Sequence, residues 1–108
     1  MKTEEKDTAI IIRKDSETFE ELIIQINEQF SAFADKNIIV DLEETELRPS
    51  SLIPFEEMAN KHISNKKSFV IVASIDFDEV DDAMIVVPTL QEAFDIIEME
   101  EIERDLGF

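Results

Sequence analysis

The residues of this chain with usable chemistry are few, and the densest group lies in one stretch, Ile38 to Leu52, IIVDLEETELRPSSL. An apolar run closes on Asp41, an acidic loop follows, and the pair Ser50-Ser51 opens the next helix-like segment. A serine at a helix start sits among unpaired backbone N–H groups and a partial positive charge, a setting that accommodates a phosphoryl group. Phosphorylation there adds about −1.5 to −2 charges and can switch an interface. The plainer role for one of the two serines is to cap the helix.

Other reactive groups are sparse. His62 is the only histidine, so no His cluster can bind a metal and no serine pairs with it by spacing. It follows Phe55, Met58 and Ala59 at helical intervals and stands beside Lys61, which points to a structural or surface role. Asp76, Asp78, Asp81 and Asp82 offer oxygen ligands for a divalent cation. However, DFDEVDD lacks the glycine and the spaced terminal Glu of an EF-hand loop, and it reads as a solvated acidic loop. Gly107 is the only glycine, which excludes phosphate-cradling loops. With no Cys there are no disulfides, thiolate zinc sites or cysteine nucleophiles. Without Trp or Tyr, a platform for stacking bases is poorly supplied. No catalytic residue, metal or cofactor is expected.

Charge narrows the partners. Of 108 residues, 27 are acidic and 10 are Lys or Arg, for a formal net charge of −17. Residues 76–108 carry only one base, Arg104. Such a field repels nucleic acid and anionic membrane surfaces, and leaves a protein partner as the expected one. No apolar run approaches the roughly 20 residues of a membrane span. MKTEEKD at the start lacks a signal-peptide apolar region, so a cytoplasmic location is expected.

These residues need elements to position them, and the patterning supplies a set. TAIIIR, residues 8–13, reads as a buried strand. Thr18-Phe19-Glu20-Glu21 is a capping box, and Phe19, Leu22, Ile23, Ile26, Phe30 and Phe33 recur at helical steps up to about residue 35. Residues 38–42 form a second strand, apolar on both faces and so covered on both or central. A second helix starts at Ser50 or Ser51, with Pro54 in its first turn and Phe55, Met58, Ala59, His62 and Ile63 as its buried stripe. FVIVA (69–73) and MIVV (84–87) are further strands, separated by an acidic connection. Thr89-Leu90-Gln91-Glu92 is a second capping box, opening a helix with Leu90, Ala93, Phe94 and Ile97 on its core face. The sum is one α/β domain over residues 1–108, a four- or five-stranded mixed sheet with three main helices packed on it. Residues 1–7 read as a charged N-terminal extension and 98–108 as an acidic helix end. Right-handed crossovers place the helices largely on one face.

Two stretches resemble the STAS domain of sulphate transporters and anti-sigma-factor antagonists. In soluble members of that family, a strand ending V-D-L leads through a loop to D-S-S-G-L at a helix start, and a partner kinase phosphorylates the first serine. Here Val40-Asp41-Leu42 and Pro49-Ser50-Ser51-Leu52-Ile53 fall on that motif without a gap, with Pro49 in place of the Asp and Leu52 in place of the Gly. MIVVPTLQEAFDII resembles the last strand and helix of these domains. The resemblance covers residues 8–97 and implies a STAS-like fold. It also implies a non-catalytic regulatory module with a degenerate serine switch. Its phosphorylation candidates are Ser50, the counterpart of the phosphoacceptor, and Ser51. The surface offered to a partner comprises Asp41 at the strand end, Glu43, Glu44 and Pro49 of the 43–51 loop, and Leu52 of the following helix. The partner implied is an anti-sigma-type kinase.

The tail VVPTLQEAFDIIEMEEIERDLGF is also similar to that of small bacterial proteins labelled ribonuclease Z. The metallo-hydrolases of that name need an H-x-H-x-D-H zinc motif, which one histidine cannot provide. That likeness implies at most association with such a hydrolase. The alternative expectation is therefore an accessory subunit that contacts an enzyme through the acidic C-terminal helix and its apolar end, Leu106-Gly107-Phe108.

Overall fold

AIIIR, NIIVD and FVIV are apolar at successive rather than alternate positions, so each strand must be covered on both faces. In the computed structural model, which describes residues 1–75 and 84–107, they are β2 (Ala9–Arg13), β3 (Asn37–Asp41) and β4 (Phe69–Val72). Two edge strands, β1 (Lys2–Lys6) and β5 (Ile85–Val87), complete a five-stranded sheet in the order β1-β2-β3-β4-β5. β1 runs antiparallel to β2, and the other three ladders are parallel. The fold is α/β with a mixed sheet, in agreement with the patterning.

Residues 1–7 depart from the expected extension. Lys2–Lys6 is a strand with every residue exposed, so it carries no apolar signature. Backbone pairing with β2 holds it, and Lys6 Nζ lies 5.5 Å over the Phe94 ring. At the hairpin tip Asp7 takes φ +55°, a left-handed conformation that Asp tolerates better than most residues.

Both halves of the α1 capping box form. Helix α1 (Phe19–Gln29) opens with Thr18 Oγ1 accepting from the Glu21 N–H and Glu21 Oε1 accepting from the Thr18 N–H, each at 3.2 Å. A 3-10 turn, Phe30–Phe33, continues it. Helix α3 (Leu90–Asp105) is capped by Thr89 Oγ1, which accepts from the Glu92 N–H at 3.2 Å. Between them a 3-10 helix, Pro49–Phe55, leads into α2 (Glu56–Ser64). Pro54 therefore lies in the 3-10 segment, ahead of α2. Of the predicted α2 stripe, Phe55, Met58, Ala59 and His62 are buried, whereas Ile63 turns to solvent.

The helices divide between the two faces of the sheet, which corrects the one-face expectation. Ile10, Ile12, Ile38, Val40, Phe69 and Ile71 point toward α1, the 3-10 helix and α2. Ala9, Ile11, Ile39, Val70 and Val72 point the other way, onto Ala93 and Ile97 of α3. The parallel β2-α1-β3 and β3-α2-β4 crossovers do put α1 and α2 on one side, as crossovers of one hand between successive strands must. Helix α3 follows the last strand, is no crossover, and covers the remaining apolar face. Each fully buried Ile or Leu here is worth roughly 1.5–3 kcal/mol of transfer free energy, so leaving that face bare would be costly.

Helices α2 and α3 are each followed by a residue in the left-handed conformation. After α2, the Lys66 N–H donates to Ile63 O at 2.9 Å and the Lys67 N–H to His62 O at 3.1 Å, the paired bonds of a Schellman turn. Lys66 takes φ +62° to make it, where glycine is the usual residue. The chain's one glycine, Gly107, holds φ +84° at the corresponding place after α3. Among the described residues, no helix is long and apolar enough to cross a membrane.

Candidate functional site

The candidate site grows from the carboxyl ends of β2, β3 and β4, the end at which parallel sheets present their loops to ligands. β3 closes on Asp41. The next residue, Leu42, is fully buried and donates its N–H to Val72 O at 2.8 Å. The Thr45 N–H then returns to Leu42 O at 3.0 Å, so the acidic loop begins as a tight turn. Glu43, Glu44 and Glu46 are exposed on it, while Leu47 packs on the core.

Asp41 is committed to the fold. Its Oδ2 accepts from Arg13 Nε at 3.1 Å, and its Oδ1 accepts from the Glu43 N–H at 3.2 Å. Arg13 also donates to Glu4 Oε1 at 2.9 Å, and this bond first, then the Asp41 pair, raises the guanidinium pKa above its ordinary value. With 12% of its side chain exposed, Asp41 anchors the start of the loop and offers little to a partner. Arg13, Lys14, Asp41, Glu44 and Thr45 line a shallow depression of about 200 Å³. Beside it, Glu43, Glu44, Thr45, Glu46, Leu47 and Ser74 line another of about 410 Å³. Both are open and without a nucleophile–base pair; the first is balanced in charge and the second is acidic.

The serine pair separates into two environments. Pro49, half-buried, begins the 3-10 helix, and Arg48, not a serine, occupies the capping position. Proline at the first helical position costs no hydrogen bond, which moves the start one residue ahead of Ser50. Ser51 is half-buried: its N–H donates to Arg48 O at 2.9 Å, and its Oγ accepts from the Arg48 N–H at 3.3 Å. Ser50 is exposed. Leu52 is fully buried with Phe55, so its side chain is part of the core and not of a binding surface. The exposed apolar residue of this segment is Ile53, at 57% exposure, followed by Pro54.

His62 supplies no base to either serine. It is fully buried, edge-on to Phe30 and Phe69, with Nε2 at 2.5 Å from Lys36 O. Nδ1 is buried without a partner, and desolvation pushes the imidazole pKa below its ordinary value. The site offers one exposed serine of the pair, Ser50, together with the exposed carboxylates of Glu43, Glu44 and Glu46. It has no machinery for general base or nucleophilic catalysis among the described residues. The acid cluster Asp76, Asp78, Asp81 and Asp82 lies outside the described residues.

A second polar centre, at the amino ends of β3 and β4, carries no signal in the spacing of the chain. Asn37 and Ser68, both buried, face the C-terminal half of α3. Asn37 Nδ2 donates to Thr8 O at 3.2 Å and to Glu101 Oε1 at 2.6 Å, while its Oδ1 accepts from the Ser68 N–H at 2.9 Å. Ser68 Oγ donates to Glu100 Oε1 and accepts from Arg104 Nη2 at 3.2 Å. Glu100, Glu101 and Arg104 of the acidic helix end are thus engaged within the domain. The partners are 29 to 67 residues apart in the chain. The only local hint is that a polar residue immediately precedes the apolar run of each strand.

No protein-family model matches this chain, and no curated protein matches it significantly.

Proposed function

We propose that this chain is a non-catalytic, STAS-like protein-interaction module, with a regulatory role like that of the anti-sigma-factor antagonists. It binds a partner protein through the 43–51 loop and the exposed side of the following 3-10 helix. Ser50 is its phosphoacceptor, and an anti-sigma-type kinase is the partner the resemblance implies.

One observation carries this reading. Of the serine pair, Ser50 alone is exposed, while Ser51 is engaged in the turn and Leu52 in the core. The strand–loop–helix framework supports it: Asp41 closes β3, Leu42 is locked under the loop, and Pro49 starts the helical segment. Leu52 in place of the motif glycine brings no strain, because positive φ among described residues is confined to Asp7, Lys66 and Gly107. Beside Glu43, Glu44 and Glu46, a phosphate would add like charge to an already acidic surface and weaken an interface with a neutral or acidic partner.

The test is affinity capture from the native cell with the wild type, Ser50→Asp and Ile53→Asp, read by mass spectrometry. The expected result is a protein recovered by the wild type and lost with both variants. Identical recovery by all three would overturn the reading.

A further inference from the structure

The outer half of α3 is built the wrong way round for a helix that only covers a sheet. At about 100° per residue, Ile97, Glu100, Glu101 and Arg104 lie on the face toward the sheet. Met99, Ile102 and Leu106 lie on the opposite face within an arc of about 60°. The inward polar groups are tied to Asn37 and Ser68. The outward apolar ones are 59%, 52% and 66% exposed. A surface helix ordinarily shows the reverse, with apolar residues in and polar residues out.

We propose that this face docks an amphipathic helix of a partner protein, one with an apolar stripe flanked by Lys and Arg. Steps of three and then four residues from Met99 to Leu106 match the seam by which one helix packs along another. The charge around the stripe decides the occupant. Asp95, Glu98, Glu103 and Asp105 surround it and are exposed, while Arg104, the one base of this helix, is turned toward Ser68. A second copy of the chain would set these carboxylates against their own kind, a repulsive pairing. A basic-flanked helix buries the same apolar residues and meets opposite charge along both sides. The face lies across the sheet from the 3-10 helix that carries Ser50, so the two surfaces are separate.

The test measures fluorescence anisotropy of labelled peptides with the full chain at physiological ionic strength. One peptide carries a leucine stripe at heptad spacing with Lys and Arg flanks. A second has the same composition scrambled, and a third keeps the stripe with Glu flanks. The expected result is binding of the first at least about tenfold tighter than the other two, with about tenfold loss on Ile102→Glu. Ile24→Glu, which alters an equally exposed isoleucine on α1, should bind as the wild type does. Circular dichroism melts confirm that both variants fold. Equal binding of striped and scrambled basic peptides, no binding, or binding unchanged by Ile102→Glu would overturn the proposal. So would sedimentation showing a dimer that Ile102→Glu dissociates, because a second copy would then occupy the face.

Discussion

Arg13 and Asp41 are register partners at the carboxyl ends of adjacent parallel strands, joined Nε to Oδ2 at 3.1 Å. The pair fixes the point from which the acidic loop departs, since Asp41 also receives the Glu43 N–H.

Replacing Asp41 by Ala removes both bonds while leaving Arg13 with Glu4. The expected cost is about 1 kcal/mol, given that Arg13 is partly exposed. Urea unfolding measures it, and hydrogen exchange at Glu43 and Thr45 should rise more than at β4. A cost above about 3 kcal/mol would mean that the pair holds more than the loop.

His62 gives the fold a pH dependence of defined sign. Its folded pKa is depressed below the ordinary value of 6.5 by desolvation, so the unfolded state takes up a proton first as pH falls. The stability is present in full above about 6.5 and is lost as pH falls from there through the folded value. Comparing the wild type with His62→Gln cancels the background of the acidic surface. Relative to that variant, the wild type should lose up to about 1.4 kcal/mol per pH unit below about 6.5 and show no slope above about 7.5. Parallel urea midpoints at all pH values would contradict this.

Lys66→Gly should stabilise the protein. The left-handed φ of Lys66 costs roughly 1–2 kcal/mol, and the added freedom of glycine in the unfolded chain returns roughly 0.4–1. A net gain of about 0.5–1 kcal/mol is expected by thermal or urea unfolding, and a loss would show that the lysine side chain makes a compensating contact.

Asn37→Ala should be among the more damaging polar substitutions, at about 2–3 kcal/mol. It strands the buried Ser68 N–H and releases Glu101. Proteolysis should cut the variant first in α3, because that helix loses its polar anchor.

Leu52→Ala should cost about 2–5 kcal/mol with native-like partner binding once folded, whereas Ile53→Asp should leave stability within about 0.5 kcal/mol. The contrast separates core from surface at two adjacent positions along one segment, and calorimetry with the capture assay reads both.

The residues that made the fold legible were those whose environment is set locally or by long apolar runs. Thr18 and Glu21 announce α1, and the unbroken apolarity of residues 38–40 announces a strand covered on both sides. β1 escaped because an edge strand of Lys, Thr and Glu buries nothing. The place of α3 escaped because crossover handedness constrains helices between strands and says nothing of one that follows the last. In the candidate site, the exposed Ser50 is marked by its motif. Ser51 and Leu52 face inward because Pro49 starts the helical segment one residue early, and the spacing of the motif does not register that rotation. The cluster joining Asn37, Ser68, Glu100, Glu101 and Arg104 has no sequence period at all, since strand ends and a distant helix assemble it only after the sheet exists.

The strand order has a kinetic meaning. Each strand of the β1-β2-β3-β4-β5 sheet pairs with the one synthesised just before it. Every ladder closes over the shortest loop available, so little chain entropy is spent on distant pairing. The sheet can grow in the order in which it leaves the ribosome, with no strand waiting for a later one to be inserted beside it. Only α3 must arrive last, and until it does the face bearing Ile11, Ile39 and Val70 stays open. The nascent chain is therefore most vulnerable to aggregation in the interval between the completion of β4 and the docking of its final helix.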